Sequence, residues 1–205
     1  TSLLEALLRS LRSTMTESAG KTVPVPIFLD FTGERVNSDV SFFQTVAGKT
    51  RAALAELLDQ AFGHSLVLDE EGSPAPAFSH ILQNWEEALM KQRGCQFRLV
   101  LLLDECEQIV EHTWTHLLYK GLRYLLVQES TRSLIKVVMA GSYRFLTQVY
   151  YCGSPLDNVL KYHMLYALNE EATRTLITEP TEHILPKDTV CRIAEPCGGH
   201  PFLTQ

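Results

Sequence analysis

The stretch from Arg98 to Gln108, RLVLLLDECEQ, constrains the fold more than any other part of the 205-residue chain. Its five consecutive apolar residues, Leu99 to Leu103, lack the polar alternation of a half-exposed strand and are typical of a strand buried on both faces. Such strands belong to parallel sheets that helices cover on both sides. We therefore predict an α/β fold organised around this strand.

Asp104 and Glu105 follow the strand directly, which predicts them at the carboxyl end of the sheet, where open α/β sheets bind ligands. One carboxylate can hold a hydrated Mg²⁺ and the next can orient or deprotonate a water, and a nucleotide-hydrolysing site needs both functions. The alternative is a core strand that simply reaches the surface at two acids.

Strand-like and helix-like patterns alternate along the chain, which indicates right-handed crossovers and a mostly parallel sheet. Further strands are predicted over residues 25–29, 134–140 and 162–168, and helices over 1–15, 41–62, 78–90 and 114–127. From Asn169 onward the pattern is helical, with one helix ending before Pro180, a second over 187–195 and a third beginning at Pro201. We predict a core over residues 1–168 and the beginning of a small helical lid over 169–205.

The composition bounds the class of protein. Apolar residues make up 45% of the chain and charged residues 20%, which is typical of a globular protein. The net charge of −6 argues against a nucleic-acid-binding face in this segment. No apolar run approaches the roughly 18 residues of a membrane span. The five cysteines predict free thiols in a reducing compartment, and we expect a cytoplasmic location without membrane partners.

Gly-Lys-Thr occurs twice, at residues 20–22 and 48–50. A phosphate-binding loop has the pattern G-x-x-x-x-G-K-[ST] between a strand and a helix. Its first glycine would fall at Met15 or at Phe43, where a bulky residue obstructs the turn that aims backbone N–H groups at phosphates. Neither copy is therefore predicted to bind phosphate.

Four stretches in this order resemble the ATPase core of the AAA+ superfamily: TSLL at 1–4, LVLLLDE at 99–105, KVVMAGSYR at 136–144 and GGHPFLTQ at 198–205. The chain is most similar to the STAND branch of signal-transducing ATPases. The resemblance implies a three-layer α/β sandwich of the P-loop NTPase type. The glycines and lysine of the phosphate-binding loop, and the strand before them, do not occur in these 205 residues, so we expect the chain to be a piece of a longer protein.

The resemblance also implies a metal site and a water-activating residue. Thr1 would be the loop hydroxyl that ligates Mg²⁺, and Asp104 would hold the same ion through water. Glu105 would activate the attacking water. For Thr1 the alternative is an ordinary chain end.

Three further residues would complete the nucleotide site. Ser142 would take the sensor position near the γ-phosphate, Arg144 would sense phosphate, and Pro201 would approach the adenine from the lid. The alternatives are that Ser142 only caps a turn, that Arg144 is a solvated surface residue and that His200 only caps the last helix.

Two alternatives involve other side chains. Arg123 and Arg132 could reach a neighbouring subunit as arginine fingers, although such residues are more often only solvent-exposed side chains on a helix surface. A zinc site is disfavoured because the tight Cys-x₂₋₄-Cys pair is missing. The candidate zinc ligands are Cys191, Cys197 and His200, with Cys152 or His183.

The function that the resemblance implies is an ATP-binding, slowly ATP-hydrolysing regulatory domain with ATP or ADP and Mg²⁺ as cofactors. It would drive oligomerisation or signalling of a larger multidomain protein, with self-association through the ATPase core and fused effector or sensor domains as partners. Two alternatives stay open: a nucleotide-independent interaction scaffold with the same fold, and an AAA+ ATPase that acts on DNA through other domains.

Overall fold

A computed structural model describes residues 2–17, 22–55, 73–151, 153–181 and 184–200. The chain divides into two compact units, Thr1–Leu160 and Lys161–Gln205. The functional boundary expected after residue 168 stays a prediction. No helix within the described ranges is both long and apolar enough to cross a membrane.

The first unit is built on a parallel sheet in the order β1-β2-β3, with the strand that dominates the sequence in the middle. The described strands are β1 (Thr22–Asp30), β2 (Gln96–Asp104) and β3 (Ile135–Met139). The ladder runs without interruption from Thr22↔Gln96 to Asp30↔Asp104 on one side of β2, and ends at Leu103↔Met139 on the other. The predicted parallel sheet is confirmed, and β1 and β2 extend beyond their apolar centres.

One face of the sheet is covered by α1 (Ser2–Glu17). Leu4 of this helix is buried in a small cluster with Val100 and Leu102, whose side chains point to the same face of β2. The predicted helix over residues 1–15 is confirmed where it is described, and it packs through Leu4, Leu8 and Leu11, whereas Leu3 and Leu7 are exposed.

The opposite face carries the main core. The alternate residues Leu99, Leu101 and Leu103 are fully buried there among the apolar side chains of three helices. Those helices are α2 (Asp39–Ala55), α3 (Pro74–Arg93) and α4 (Thr115–Val127). Because helices lie on both faces of β2, its apolar run needs no polar alternation, and the three-layer α/β architecture is confirmed.

Short elements follow the strand ends. One residue separates the 3₁₀-helix η1 (Cys106–Ile109) from β2, and three residues separate α5 (Tyr143–Tyr150) from β3. The predicted helix over 41–62 is confirmed as far as α2 extends, and residues 56–62 lie outside the described residues.

The second unit contains α6 (Glu170–Thr178), the 3₁₀-helix η2 (Glu179–Thr181) and α7 (Lys187–Cys197). Asn169 caps α6 as predicted, because its Oδ1 accepts the N–H of Ala172 at 2.8 Å. The helix α7 does not stop before Pro196 but two residues later, where Gly198 adopts a left-handed conformation (φ 54°). The third predicted helix, from Pro201, lies outside the described residues.

The strand predicted over residues 162–168 is wrong. These residues form no strand in the described structure, and Tyr166 is 80% exposed. Alternating aromatic and aliphatic residues favour a strand only where a neighbouring strand supplies the hydrogen bonds. No such ladder forms on this segment among the described residues.

Candidate functional site

Asp104 ends β2 inside the protein and only 3% of its surface is exposed. Its Oδ1 accepts the backbone N–H of Glu105 at 3.0 Å. Its backbone oxygen accepts the N–H of Phe31 at 3.2 Å, which joins it to the residue that follows β1. The carboxylate is therefore fixed at the carboxyl edge of the sheet, as the sequence predicts.

The ends of the three strands meet around Asp104. Asp30, the last residue of β1, is its partner in the parallel register. The Oδ1 of Asp30 accepts the N–H of Thr32 at 2.8 Å in a tight turn. On the other side, Ala140 follows β3, and its backbone oxygen accepts the N–H of Cys106 at 3.0 Å. Hydrogen bonds thus connect the acid-bearing end of β2 to both neighbours.

Glu105 has a left-handed backbone conformation with φ 53°. For a residue with a Cβ this conformation costs about 1–2 kcal/mol. It lets the chain turn at once from β2 into η1, where the Glu105 carbonyl accepts the N–H of Gln108 at 3.0 Å. Non-glycine residues in this conformation are concentrated at functional sites.

Negative charge is concentrated around Glu105. Its partial burial raises its pKa, and the charges of Glu107, Asp104 and Asp30 raise it further. A cation bound at this edge would relieve the repulsion among these four carboxyl groups.

The first turn of α1 lies near the same part of the sheet. Leu4 packs with Leu102, two residues before Asp104, and Ala140 lies against the same cluster. This arrangement agrees with the expectation that the first helix begins beside the acid-bearing strand end. Thr1 and Pro201, predicted to bind Mg²⁺ and adenine, lie outside the described residues.

Ser142 and Arg144 follow β3 on the exposed side of this edge. Ser142 precedes α5 in an extended conformation, and its side chain makes no capping hydrogen bond to that helix. Arg144 forms an ion pair with Glu111 in which both side chains are mostly exposed. The structure therefore brings Ser142 to the end of the strand beside β2, whereas Arg144 is bound to a surface carboxylate. Both roles stay predictions.

The second Gly-Lys-Thr is part of α2 and does not form a phosphate-binding loop. Thr50 is fully buried, and its hydroxyl donates to the carbonyl of Val46 at 2.7 Å. Lys49 forms an ion pair with Glu34. In the first copy, Thr22 opens β1, and Gly20 and Lys21 lie outside the described residues.

The remaining candidates are located as follows. Arg123 donates to the carbonyl oxygens of Pro155 and Asp157 at 2.7 and 3.1 Å, so it has partners within its own unit. In the part of the chain that the structure describes, no three His, Cys, Asp or Glu residues converge as a metal-binding group. Cys152 and His183 fall outside that part.

Sequence reasoning assigned no role to Glu107 or Gly141, which meet at this edge. A Cβ at Gly141 would come within 2.9 Å of the Glu107 Oε2, so only glycine fits there without movement of its neighbours. The available signal was a glycine directly beyond a predicted strand, where a close approach of backbone and side chain is common.

No family model and no curated protein matches this chain. A solved structure does: the Walker-type ATPase PABY2304 of Pyrococcus abyssi, with a TM-score of 0.57 and 14% sequence identity. The match covers 95% of this chain and 63% of that one. At this identity the likeness establishes the fold, an α/β fold of the P-loop NTPase type. Membership of the STAND branch stays a prediction.

Proposed function

We propose that this chain is the nucleotide-binding core of a larger ATPase, and that it binds ATP with Mg²⁺ and hydrolyses it slowly. The single observation that carries the proposal is the position of Asp104 and Glu105. They lie at the carboxyl edge of a parallel sheet, between the ends of two neighbouring strands. Ligands of open α/β sheets bind at this edge.

The donor chemistry of the edge fits Mg²⁺. This ion prefers oxygen ligands and keeps several of its waters, so it needs one or two carboxylates rather than a protein cage. Asp104 would hold it, and the nearby carboxyl groups of Asp30 and Glu105 make the region attractive to a cation. When bound, Mg²⁺ neutralises charge on the β- and γ-phosphates.

Glu105 is suited to accept a proton from the attacking water. It is partly buried, and its neighbours raise its pKa toward the range in which a carboxylate is a more effective base. The left-handed backbone directs it away from the line of β2. Ser142, just beyond the end of β3, would occupy the predicted sensor position near the terminal phosphate.

The regulatory part of the proposal concerns the parent protein. Binding of the triphosphate would stabilise one arrangement of the core and its partners, and hydrolysis would remove that bias. Slow chemistry is sufficient for such a switch. Self-association through the core and fused effector or sensor domains are the proposed outputs. The structurally similar protein PABY2304 is a Walker-type ATPase, which agrees with nucleotide chemistry on this fold.

The test uses the full-length parent protein and replaces Glu105 by Gln. ATP binding is measured by calorimetry with and without Mg²⁺, and turnover by phosphate release. We expect Glu105→Gln to bind ATP with an affinity similar to that of the unmodified protein and to lose about 10²-fold or more in turnover, since a general base contributes that much. The matched control is Glu129→Gln, in an exposed turn after α4.

The two parts of the proposal fail separately. Unchanged turnover in Glu105→Gln would remove Glu105 from its role and leave ATP binding standing. Absence of Mg²⁺-dependent ATP binding in the unmodified parent would refute the nucleotide site itself.

A nucleotide-independent scaffold is the second candidate. One observation favours it: the Lys49 ammonium pairs with Glu34 and the Thr50 hydroxyl donates to the Val46 carbonyl, so this Gly-Lys-Thr supplies no phosphate ligand. Oligomerisation of the parent that is the same with ATP, with ADP and without nucleotide would support the scaffold.

A further inference from the structure

Glu107 has a buried carboxylate oxygen at the proposed site. Its Oε2 has no hydrogen-bond partner among the described residues. A buried polar atom left in this state costs about 1–3 kcal/mol, and more when it is charged. An apolar residue of the same length would avoid the cost, so the position of this oxygen calls for a donor that binds it in another state of the protein.

The position of Glu107 identifies a candidate donor. Its Oε2 lies against Gly141, where a Cβ would be only 2.9 Å away. The next residue is Ser142, whose hydroxyl is exposed and does not cap α5. A change of this side chain from one staggered rotamer to another changes the direction in which the hydroxyl donates.

Glu107 is also connected to the proposed base. It lies in η1, which begins directly after Glu105. The N–H of Cys106 donates to the carbonyl of Ala140 at 3.0 Å, and the carbonyl of Glu105 accepts from Gln108 at 3.0 Å. A change at the end of β3 is therefore transmitted to Glu105 through one short, hydrogen-bonded turn.

Resting on the function proposed above, we propose that Glu107 is a positioning residue for ATP hydrolysis. As the bound nucleotide reaches the transition state, the Glu107 carboxylate accepts a hydrogen bond from the Ser142 hydroxyl, and this bond holds the start of α5 beside Glu105. The effect falls on the chemical step, because neither Glu107 nor this bond is required to hold the nucleotide.

The experiment measures single-turnover ATP hydrolysis, ATP affinity and thermal stability in the full-length parent. Four variants are compared: Glu107→Met, Glu107→Gln, Ser142→Ala and the double variant Glu107→Met/Ser142→Ala. Methionine keeps the length of the side chain without an acceptor, whereas glutamine keeps one acceptor oxygen. Glu129→Met, at an exposed turn, is the control.

We expect Glu107→Met to lose about tenfold or more in hydrolysis rate while ATP affinity stays within about twofold, the pattern of an interaction made only in the transition state. Its melting temperature should be unchanged or higher, because the unpaired buried oxygen is gone. Glu107→Gln should recover most of the rate. The double variant should be no slower than the slower single variant, since both act through one bond.

Several results overturn the inference. A Glu107→Met rate within about twofold of the unmodified protein removes the role, and multiplied effects in the double variant show that the two residues act independently. A lowered melting temperature together with weakened ATP binding shows a structural role. If Glu107→Met does not fold, the variants Glu107→Gln and Ser142→Ala decide the question. Hydrolysis rates in both that equal the rate of the unmodified protein refute the hydrogen bond between Glu107 and Ser142. A parent that does not bind or turn over ATP refutes the proposed function first, and this inference with it.

Discussion

Asp30 and Asp104 are partners at the last position of the parallel ladder between β1 and β2. Each ends its strand, so the two acids share one edge of the sheet. Asp104 is buried, and both charges act on Glu105, the residue that follows it. The repulsion between these carboxyl groups and Glu105 should be measurable as a pH-dependent stability.

The first prediction concerns the stability of Glu105→Gln as a function of pH. The pKa of Glu105 is raised in the folded protein, so folding favours the protonated form. The stability that this group contributes is complete below the ordinary pKa of glutamate, about 4.3, and is lost as the pH rises through the raised value. We therefore expect Glu105→Gln to melt at a higher temperature than the unmodified protein at pH 7.5, by roughly 2–4 °C at most, and at the same temperature near pH 4.

Thermal denaturation across this pH range, without Mg²⁺ or nucleotide, is the measurement. Glu129→Gln controls for the general loss of one negative charge. A Glu105→Gln protein that is less stable at pH 7.5 than at pH 4, relative to the unmodified chain, would show that the carboxylate is favourably bound in the folded state.

The second prediction separates two roles of Arg144. Its ion pair with Glu111 is exposed, and such pairs contribute about 0–1 kcal/mol. Arg144→Ala and Glu111→Gln should therefore leave the melting temperature almost unchanged. If Arg144 leaves this pair to bind the terminal phosphate, Arg144→Ala should slow ATP turnover, whereas Glu111→Gln should leave it unchanged or faster.

Phosphate release by the two variants of the parent protein checks this. Equal turnover in Arg144→Ala and in the unmodified protein assigns the arginine to the surface pair alone. A slower Glu111→Gln would instead indicate that the pair itself supports the active arrangement.

How much of this could be predicted from the sequence depends on how local the signal is. The apolar run over residues 99–103 predicts β2, and the two acids after it predict the end of that strand, because burial on both faces and an abrupt polar end depend on consecutive residues. Asn169 marks the start of a helix for a similar reason, since a capping side chain acts within one turn. These predictions are confirmed.

The remaining features depend on distant residues and could not be obtained in the same way. The contact between Glu107 and Gly141 joins two positions 34 residues apart, and no periodic sequence pattern connects them. The segment over 162–168 has the composition of a strand, yet a strand also requires a partner, which its own residues do not specify. Arg144 was predicted from a resemblance, and its ion pair with Glu111 follows from the path of the chain around η1.

The third prediction tests the second Gly-Lys-Thr. Lys49 is held by Glu34 and its Nζ lies 3.5 Å from the carbonyl oxygen of Phe28, so it is not available to a phosphate. Lys49→Met should leave the ATP affinity of the parent within about twofold and reduce stability by no more than about 1 kcal/mol, as for other partly exposed pairs.

The comparison variant is Asp104→Asn, which should weaken Mg²⁺-dependent ATP binding without disturbing α2. Calorimetric titration of both variants with ATP is the measurement. A tenfold or larger loss of affinity in Lys49→Met alone would identify that lysine as a phosphate ligand after all.

The last prediction uses the two adjacent glycines that follow α7. Both have positive φ, 54° at Gly198 and 74° at Gly199, but only Gly199 is also confined: a Cβ there would lie 2.3 Å from the carbonyl oxygen of Leu168. Gly198→Ala should cost about 1 kcal/mol for the left-handed backbone alone. Gly199→Ala must also displace the backbone at Leu168, so denaturant unfolding should show a loss well above that, about 2 kcal/mol or more. Equal losses would mean that the backbone at Leu168 moves away freely.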